Sequence, residues 1–130
     1  MGALRKASAG ILGLTLLFQA PPLCAATDAL PLFATCTGRF SALIEHQWLT
    51  GEASDSTAAD RAAMLALLEA VTGADQRTEA MALRVEAKLA EAALLEQASF
   101  GPVANRLWAR ARAQTLVEEC RSMLLTDAGA

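Results

Sequence analysis

The chain has 130 residues, 54% of them hydrophobic, and its 14 acidic residues outnumber its 11 basic ones for a net charge of −3. An acidic balance disfavours nucleic acids and anionic membranes as partners, because both attract basic surfaces. Leucine and alanine are abundant, aromatic residues make up 5%, and tyrosine is absent. This composition favours helices over strands.

The first 26 residues have the layout of a secretory signal peptide. A basic start, Met1 to Lys6, precedes an apolar run over residues 9–18, and the small residues Cys24 and Ala26 suit a signal peptidase site. We predict cleavage after Ala26. The apolar run is shorter than the ~20 residues that a membrane-spanning helix needs. A lipidated cysteine normally follows a small residue, so Leu23 disfavours lipidation of Cys24.

Cleavage would leave about a hundred residues, enough for one small domain and too few for two. We assign residues 27–125 to this helical domain and residues 126–130 to a disordered tail. Removal of the two basic residues Arg5 and Lys6 takes the net charge from −3 to −5. The expected location is the periplasm or the exterior, with no nucleic-acid partner and no membrane contact after cleavage.

Two cysteines remain after cleavage, Cys36 and Cys120. In an exported chain they are expected to be oxidised to each other. Two unpaired buried thiols are the alternative. A metal site made from both cysteines and His46 would be unusual in an oxidising compartment, so we expect no metal.

The first predicted helix covers residues 28–50, with Asp28 as its cap and Pro31 in its first turn. Gly51 ends it. Gly38 lies inside it and costs ~1 kcal/mol relative to alanine, so it is either tolerated or needed for close approach of another backbone. The apolar stripe contains Phe33, Cys36, Phe40, Leu43, Ile44 and Gln47.

The second predicted helix begins at Ser56 or Thr57 and ends near Thr72. Thr57 and Asp60 have the spacing of a capping box. Asp75, after Gly73, is the predicted cap of the following helix. The helical repeat of the second helix contains Arg61, Met64, Leu65, Leu68 and Val71.

The third predicted helix covers residues 76–99 and has two apolar faces. A surface helix normally has one, so this helix either contacts two neighbours or uses its second face for a weak homodimer. The dimer hypothesis assigns that role to Leu83, Ala87 and Leu94, which keep a heptad spacing. The first face contains Met81, Val85, Leu89 and Ala92, and the second contains Ala80, Leu83, Ala87, Ala90 and Leu94.

Gly101 and Pro102 mark the start of a fourth helix, which runs to about Leu125. Four helices with short links predict an all-α, up-down-up-down four-helix bundle. Cys36 near the start of the first helix and Cys120 near the end of the last then lie at the same end. A disulfide between first and last helix therefore agrees with the local patterns. The apolar stripe of the fourth helix contains Leu116, Val117, Cys120, Met123 and Leu124.

Catalytic and cofactor motifs are missing from the sequence. It contains no CxxC, CxxCH or HExxH motif and no glycine-rich phosphate loop, and a single histidine cannot supply the usual zinc ligands. We therefore expect no cofactor and no enzyme activity. The function predicted is a secreted or periplasmic helical module that binds an unknown protein partner or serves in envelope stress.

A polar site is the alternative. Gln47 and Arg110 stand about 15 Å along their helices from the disulfide, at 1.5 Å per residue, so they should be level. With Arg106, one turn away, and His46 at the edge of the stripe, they form either a buried network or a pocket for a small anion or other small ligand. Glu91 and Glu96 of the third helix are expected near the same height. An exposed apolar patch would favour the protein partner; a concave pocket with convergent arginines would favour the carrier.

Residues Cys36 to Leu49 form the segment CTGRFSALIEHQWL. This segment resembles a stretch found in small exported proteins of uncharacterised alphaproteobacterial families. The resemblance covers fourteen residues. It implies export and a helix, and it implies no activity.

Overall fold

The computed structural model of the protein describes residues 24–127. Most of the predicted signal peptide and residues 128–130 of the predicted tail lie outside this range. The final helix includes residues 126 and 127, which the sequence assigned to the tail. Within residues 24–127 the regular secondary structure is all helical, with four α-helices joined by short links: α1 (Cys24–Thr50), α2 (Asp55–Val71), α3 (Arg77–Phe100) and α4 (Val103–Asp127).

The four helices form the predicted up-down-up-down bundle. The pairing of Cys36 with Cys120 brings the first half of α1 to the last part of α4, and Phe40 of α1 packs in the same cluster as Met64 of α2. Both contacts require antiparallel neighbours. The predicted disulfide is confirmed, with its two Cα atoms 5.5 Å apart.

The first helix is the central element of the core. Each of the three buried clusters contains residues of α1 together with residues of two other helices. α1 is consequently buried on more than the single stripe that the sequence predicted. Its fully buried positions outside that stripe include Leu30, Ala34, Thr37 and Ala42.

A glycine allows α1 and α3 to run parallel in close contact. A Cβ atom on Gly38 would collide with the carbonyl oxygen of Arg84 and lie 3.0 Å from the backbone nitrogen of Lys88. The close approach of another backbone, one of the two explanations for this glycine, is therefore the correct one. α2 and α3, although consecutive, diverge on either side of α1.

Several predicted helix ends differ from the structure. α1 begins at Cys24, so Asp28 and Pro31 lie inside it and Asp28 is not its cap. α2 begins at Asp55, which places Thr57 inside the helix, buried and without a hydrogen bond on its hydroxyl. The capping box is therefore absent. Gly51, at a φ of 75°, ends α1 as predicted.

A short 3-10 turn, Ala74–Gln76, precedes α3. The predicted cap, Asp75, lies within this turn. The Gln76 side chain instead accepts a hydrogen bond from the backbone N–H of Gly73 at 3.1 Å. A glutamine within the turn therefore satisfies the backbone donor at the start of the turn.

α3 contacts two neighbours, α1 and α4, which is the first of the two explanations for its two apolar faces. Leu83 and Leu94, assigned to self-association, pack against buried residues of α1, whereas Met81, Val85 and Leu89 are about half exposed or more. The reason is size. Alanine at position 87 lies beside Gly38, and only small side chains allow the two helices to approach this closely.

Candidate functional site

The structure does not join the predicted polar residues into one network. The Oε1 atom of Gln47 is buried without a hydrogen-bond partner, and no hydrogen bond links it to Arg110 within the described residues. The side chain of Arg106 points back to the start of α4, where its Nε donates to the carbonyl oxygen of Gly101 at 2.7 Å. The predicted meeting of Gln47 and Arg110 through a hydrogen bond does not occur.

Two of the predicted residues, His46 and Arg110, do line one cleft. The cleft lies between α1, α3 and α4 and has a volume of about 430 Å³. Its apolar walls include Leu43, Leu95 and Val117. Neither Gln47 nor Arg106 belongs to its lining, so the site differs in composition from the predicted one.

Glu91, which the sequence placed near the height of Gln47 and Arg110, is the buried carboxyl group of this cleft. Its side chain is only 1% exposed, and neither carboxylate oxygen has a hydrogen-bond partner. Burial raises the pKa of Glu91 from 4.5 to about 7, against the opposing fields of Arg39 and Arg112. The sequence signal was present: Glu91 stands at helical spacing from the inward-facing Ala87, Leu95 and Ala98.

His46 is held at the boundary of the core. Its Nε2 lies 3.2 Å from the hydroxyl oxygen of Ser99 on α3. The adjacent Glu45 instead forms a salt bridge with Lys88. Glu45 and His46, which are adjacent in sequence, thus contact different partners, as expected for consecutive positions on a helix.

Charged side chains also tie α4 to the rest of the bundle. The guanidinium of Arg121 donates to Asp60 of α2 at 2.9 Å and to Glu118 of its own helix at 2.7 Å. The hydrogen bond with Asp60 is the main cause of a raised pKa at Arg121. Arg39 of α1 donates to the carbonyl oxygen of Leu116 at 3.4 Å, beside the disulfide. These contacts anchor the carboxyl half of α4.

The amino half of α4 is packed differently. Its buried residues there are alanines, Ala109 and Ala113. Leu107 lies two positions before Ala109, and Ala111 lies two positions before Ala113. Two positions correspond to about 200° around the helix, so Leu107 and Ala111 face away from the core. We call the exposed apolar residues at this end the turn surface; they are 61–82% exposed and comprise Leu49, Phe100, Val103, Leu107 and Trp108.

The turn surface is bordered by positive charge. Residues 103–112 include three arginines and no acidic residue. The predicted apolar stripe of the fourth helix begins at Leu116, so this surface was not predicted from the sequence. The sequence feature that indicates this surface is the segment VANRLWARAR. Its large apolar residues alternate with arginines and do not form a repeat that faces the core.

A second groove follows from the divergence of α2 and α3. Its volume is about 410 Å³, and residues of α1, among them Ile44 and Trp48, line it. Arg61 on one side is held by Ser41, to whose hydroxyl its Nε donates at 2.8 Å. Lys88 on the other side pairs with Glu45. Two of its cations are thus already satisfied within the protein.

Comparisons with protein-family models, with curated proteins and with solved structures give no match. The resemblance of residues 36–49 therefore stays a prediction from those residues. No helix within residues 24–127 is long and apolar enough to cross a membrane. In the same part of the chain, no group of three or more His, Cys, Asp or Glu side chains is placed to hold a metal ion.

Proposed function

We propose that this chain is a non-enzymatic helical binding module of the periplasm or the secreted fraction, and that its turn surface engages an acidic protein partner. The observation that carries the proposal is the exposure of large apolar side chains around the start of α4. Val103 and Leu107 are both nearly four-fifths exposed. The Cys36–Cys120 disulfide fits an oxidising compartment.

The apolar part of the turn surface supplies the binding energy in this proposal. Burial of one large apolar side chain contributes ~1.5–3 kcal/mol. Phe100 and Leu49 line one shallow cleft, and Val103 and Leu107 are one helical turn apart, which gives two pairs of exposed apolar residues at the same end of the bundle. Clustered exposed apolar residues typically mark interaction sites.

The charge of the turn surface determines the kind of partner. Arg106 forms no salt bridge within the described residues, in contrast to Arg121. A partner with an acidic rim around an apolar groove would match both features, as in helix-in-groove recognition. In an envelope-stress role, the partner would be an unfolding protein chain. This form of the proposal is supported by an analogy of fold with small helical chaperones.

The small-anion carrier has weaker support. Arg106 lies outside the α1/α3/α4 cleft and is engaged by Gly101. The cleft contains a buried carboxyl group, Glu91, which would repel an anion whenever it is ionised. Of the two arginines that line the cleft, Arg121 is already paired with Asp60 and Glu118, which leaves Arg110 alone to bind an anion.

A weak homodimer also remains a proposal. The predicted face, Leu83 with Leu94, is occupied by α1, so a dimer would have to use the exposed Met81, Val85 and Leu89. Sedimentation at high micromolar concentration tests this. A monomer there, or a dimer unaffected by Val85→Glu, would exclude this face.

Site-specific crosslinking tests the protein-partner proposal. A photoreactive residue replaces Leu107 in the oxidised mature protein, and a matched control replaces Ala62, an exposed residue of α2. We expect one discrete protein adduct at position 107 and none at position 62. Arg106→Glu should weaken the adduct, as should high salt, because the partner is acidic.

The partner recovered from the adduct is then purified and its affinity measured directly. We expect Leu107→Ser to weaken binding at least tenfold, the loss typical of a central apolar contact. Equal adducts at both positions, or none, would overturn the proposal. Binding to anionic lipid vesicles that depends on Leu107, without a protein adduct, would assign the surface to a membrane instead.

A further inference from the structure

We propose that the α1/α3/α4 cleft binds a small amphoteric molecule, whose ammonium group is held by Glu91 and whose carboxylate is held by Arg110. The ligand class is a free amino acid or a short peptide with an apolar body. This inference does not depend on the protein-partner proposal, because Glu91 lies in the cleft and not on the turn surface.

The first argument is the unsatisfied carboxyl group. Glu91 is fully buried, and both of its oxygens lack a hydrogen-bond partner. Buried polar groups in native proteins are nearly always hydrogen-bonded, so an exception requires an explanation. An ammonium group offers three donors and a compensating charge. A ligand that brings one into the cleft would satisfy both oxygens.

The second argument is the unpaired cation of the same cleft. Arg110 lines the cleft from α4 and forms no salt bridge within the described residues. A guanidinium group binds carboxylates through two parallel hydrogen bonds. Glu91 and Arg110 thus present opposite charges to one space. A simple anion would face the carboxyl group, and a simple cation would face the arginine, whereas an amphoteric ligand matches both.

The third argument is the shape and lining of the cleft. A volume of about 430 Å³ lies in the range of small-molecule sites, which combine apolar walls with a few polar groups. The walls come from Leu43, Leu95 and Val117, and the polar groups besides the charged pair include His46 and Gln114. This lining suits an apolar ligand body between two charged ends.

The charges around Glu91 set the expected pH dependence. Arg39 of α1 and Arg112 of α4 act on its carboxyl group, but burial dominates and raises the pKa to about 7. Ammonium binding needs the ionised form, so affinity should rise between pH 6 and pH 8. The other titratable or charged groups of the cleft are His46, Glu52, Arg110, Glu118 and Arg121, of which the last two pair with each other.

Calorimetry on the oxidised mature protein with four five-carbon probes tests the inference. Norvaline and δ-aminovalerate carry both charges at different spacing, pentylamine carries only the ammonium group, and valerate only the carboxylate. At pH 8 we expect at least one amphoteric probe to bind about tenfold or more tightly than either singly charged probe, since each lost charged hydrogen bond costs at least that factor.

Two variants and a control identify the residues. Glu91→Gln keeps the shape of the side chain and should reduce amphoteric binding about tenfold or more, and Arg110→Met should reduce it to the level of pentylamine. Arg106→Met, outside the cleft, should change nothing. Glu91→Gln should also leave crosslinking at position 107 intact, which separates this inference from the proposed function.

Three results would overturn the inference. They are the absence of binding by both amphoteric probes at millimolar concentration, unchanged amphoteric binding in folded Glu91→Gln, and valerate binding as tightly as the amphoteric probes. Far-ultraviolet circular dichroism of each variant checks that it is folded. If Arg110→Met fails to fold, Arg110→Lys replaces it and should retain part of the affinity, because lysine keeps the charge and loses the bidentate geometry.

Discussion

The two ends of the bundle differ in where their large apolar residues lie. At the disulfide end, Phe40 and Met64 are fully buried around Cys36 and Cys120. At the opposite end, α4 buries small alanines and exposes Val103 and Leu107. Burial of large side chains and a cross-link stabilise the first end, whereas the second leaves its apolar side chains free. We infer that stability and binding are assigned to opposite ends of the same four helices.

The largest effect is expected at the disulfide end. Replacement of Cys36 and Cys120 by alanine should lower the free energy of unfolding by ~4.5 kcal/mol, because the bridge closes a loop across 84 positions. Urea unfolding of the oxidised, reduced and double-alanine forms measures this. A loss below ~1 kcal/mol would mean that the packed cluster alone holds this end together.

The second prediction concerns the buried carboxyl group between the two ends. The pKa of Glu91 is raised from 4.5 to about 7 in the folded chain, so the folded state binds more protons than the unfolded state between these values. Its contribution to stability is therefore full below pH 4.5 and is lost as the pH rises through 7, a decrease of ~3 kcal/mol.

Comparison of the wild type with Glu91→Gln isolates this contribution, because all other titrating groups are shared. We expect the variant to gain stability relative to the wild type as the pH rises from 4.5 to 8. A constant difference across this range would show that Glu91 titrates normally and is hydrogen-bonded in solution.

The third prediction tests the contact between α1 and α3. Helix propensity alone predicts that Gly38→Ala stabilises the protein by ~1 kcal/mol. The collision of the new methyl group with the backbone at Arg84 should reverse the sign and destabilise by ~1–3 kcal/mol. Ala82→Gly, at an exposed position of α3, is the control and should cost only the propensity term. A stabilised Gly38→Ala would refute the close helix contact.

The smallest effect is expected at the turn surface. Leu107→Ala should change stability by less than ~0.5 kcal/mol, because its side chain is mostly exposed. The matched truncation at the disulfide end, Met64→Ala, should cost ~2–5 kcal/mol. Thermal unfolding of both variants makes the comparison direct. Similar losses at the two positions would contradict the proposed division between the ends.

Several features could be predicted from local pattern in the sequence. The four helices follow from apolar repeats and from the breaks at Gly51, Gly73 and Gly101. The pairing of Cys36 with Cys120 follows from the predicted export and from the antiparallel order of the helices. These features depend on residues close in sequence or on a count of two cysteines, so no knowledge of the tertiary packing was needed.

The site could be predicted only in part. His46 and Arg110 do share a cleft, because the helical rise from the disulfide gives their approximate height. The rise does not give the direction of a side chain around its helix. Gln47 and Arg106 therefore lie outside the cleft although the sequence grouped them with Arg110, whereas Glu91, expected at the same height, lines it.

The amino-acid sequence by itself determined the four helices, their order and the cross-link. The tertiary structure decided which faces of the helices meet. On α3 the sequence offered two apolar faces, and the contact of Ala87 with Gly38 determined which one meets α1. On α4 the small Ala109 and Ala113 were buried in preference to Leu107. Side-chain pattern defines the faces of a helix, but close packing between backbones selects the face that is buried.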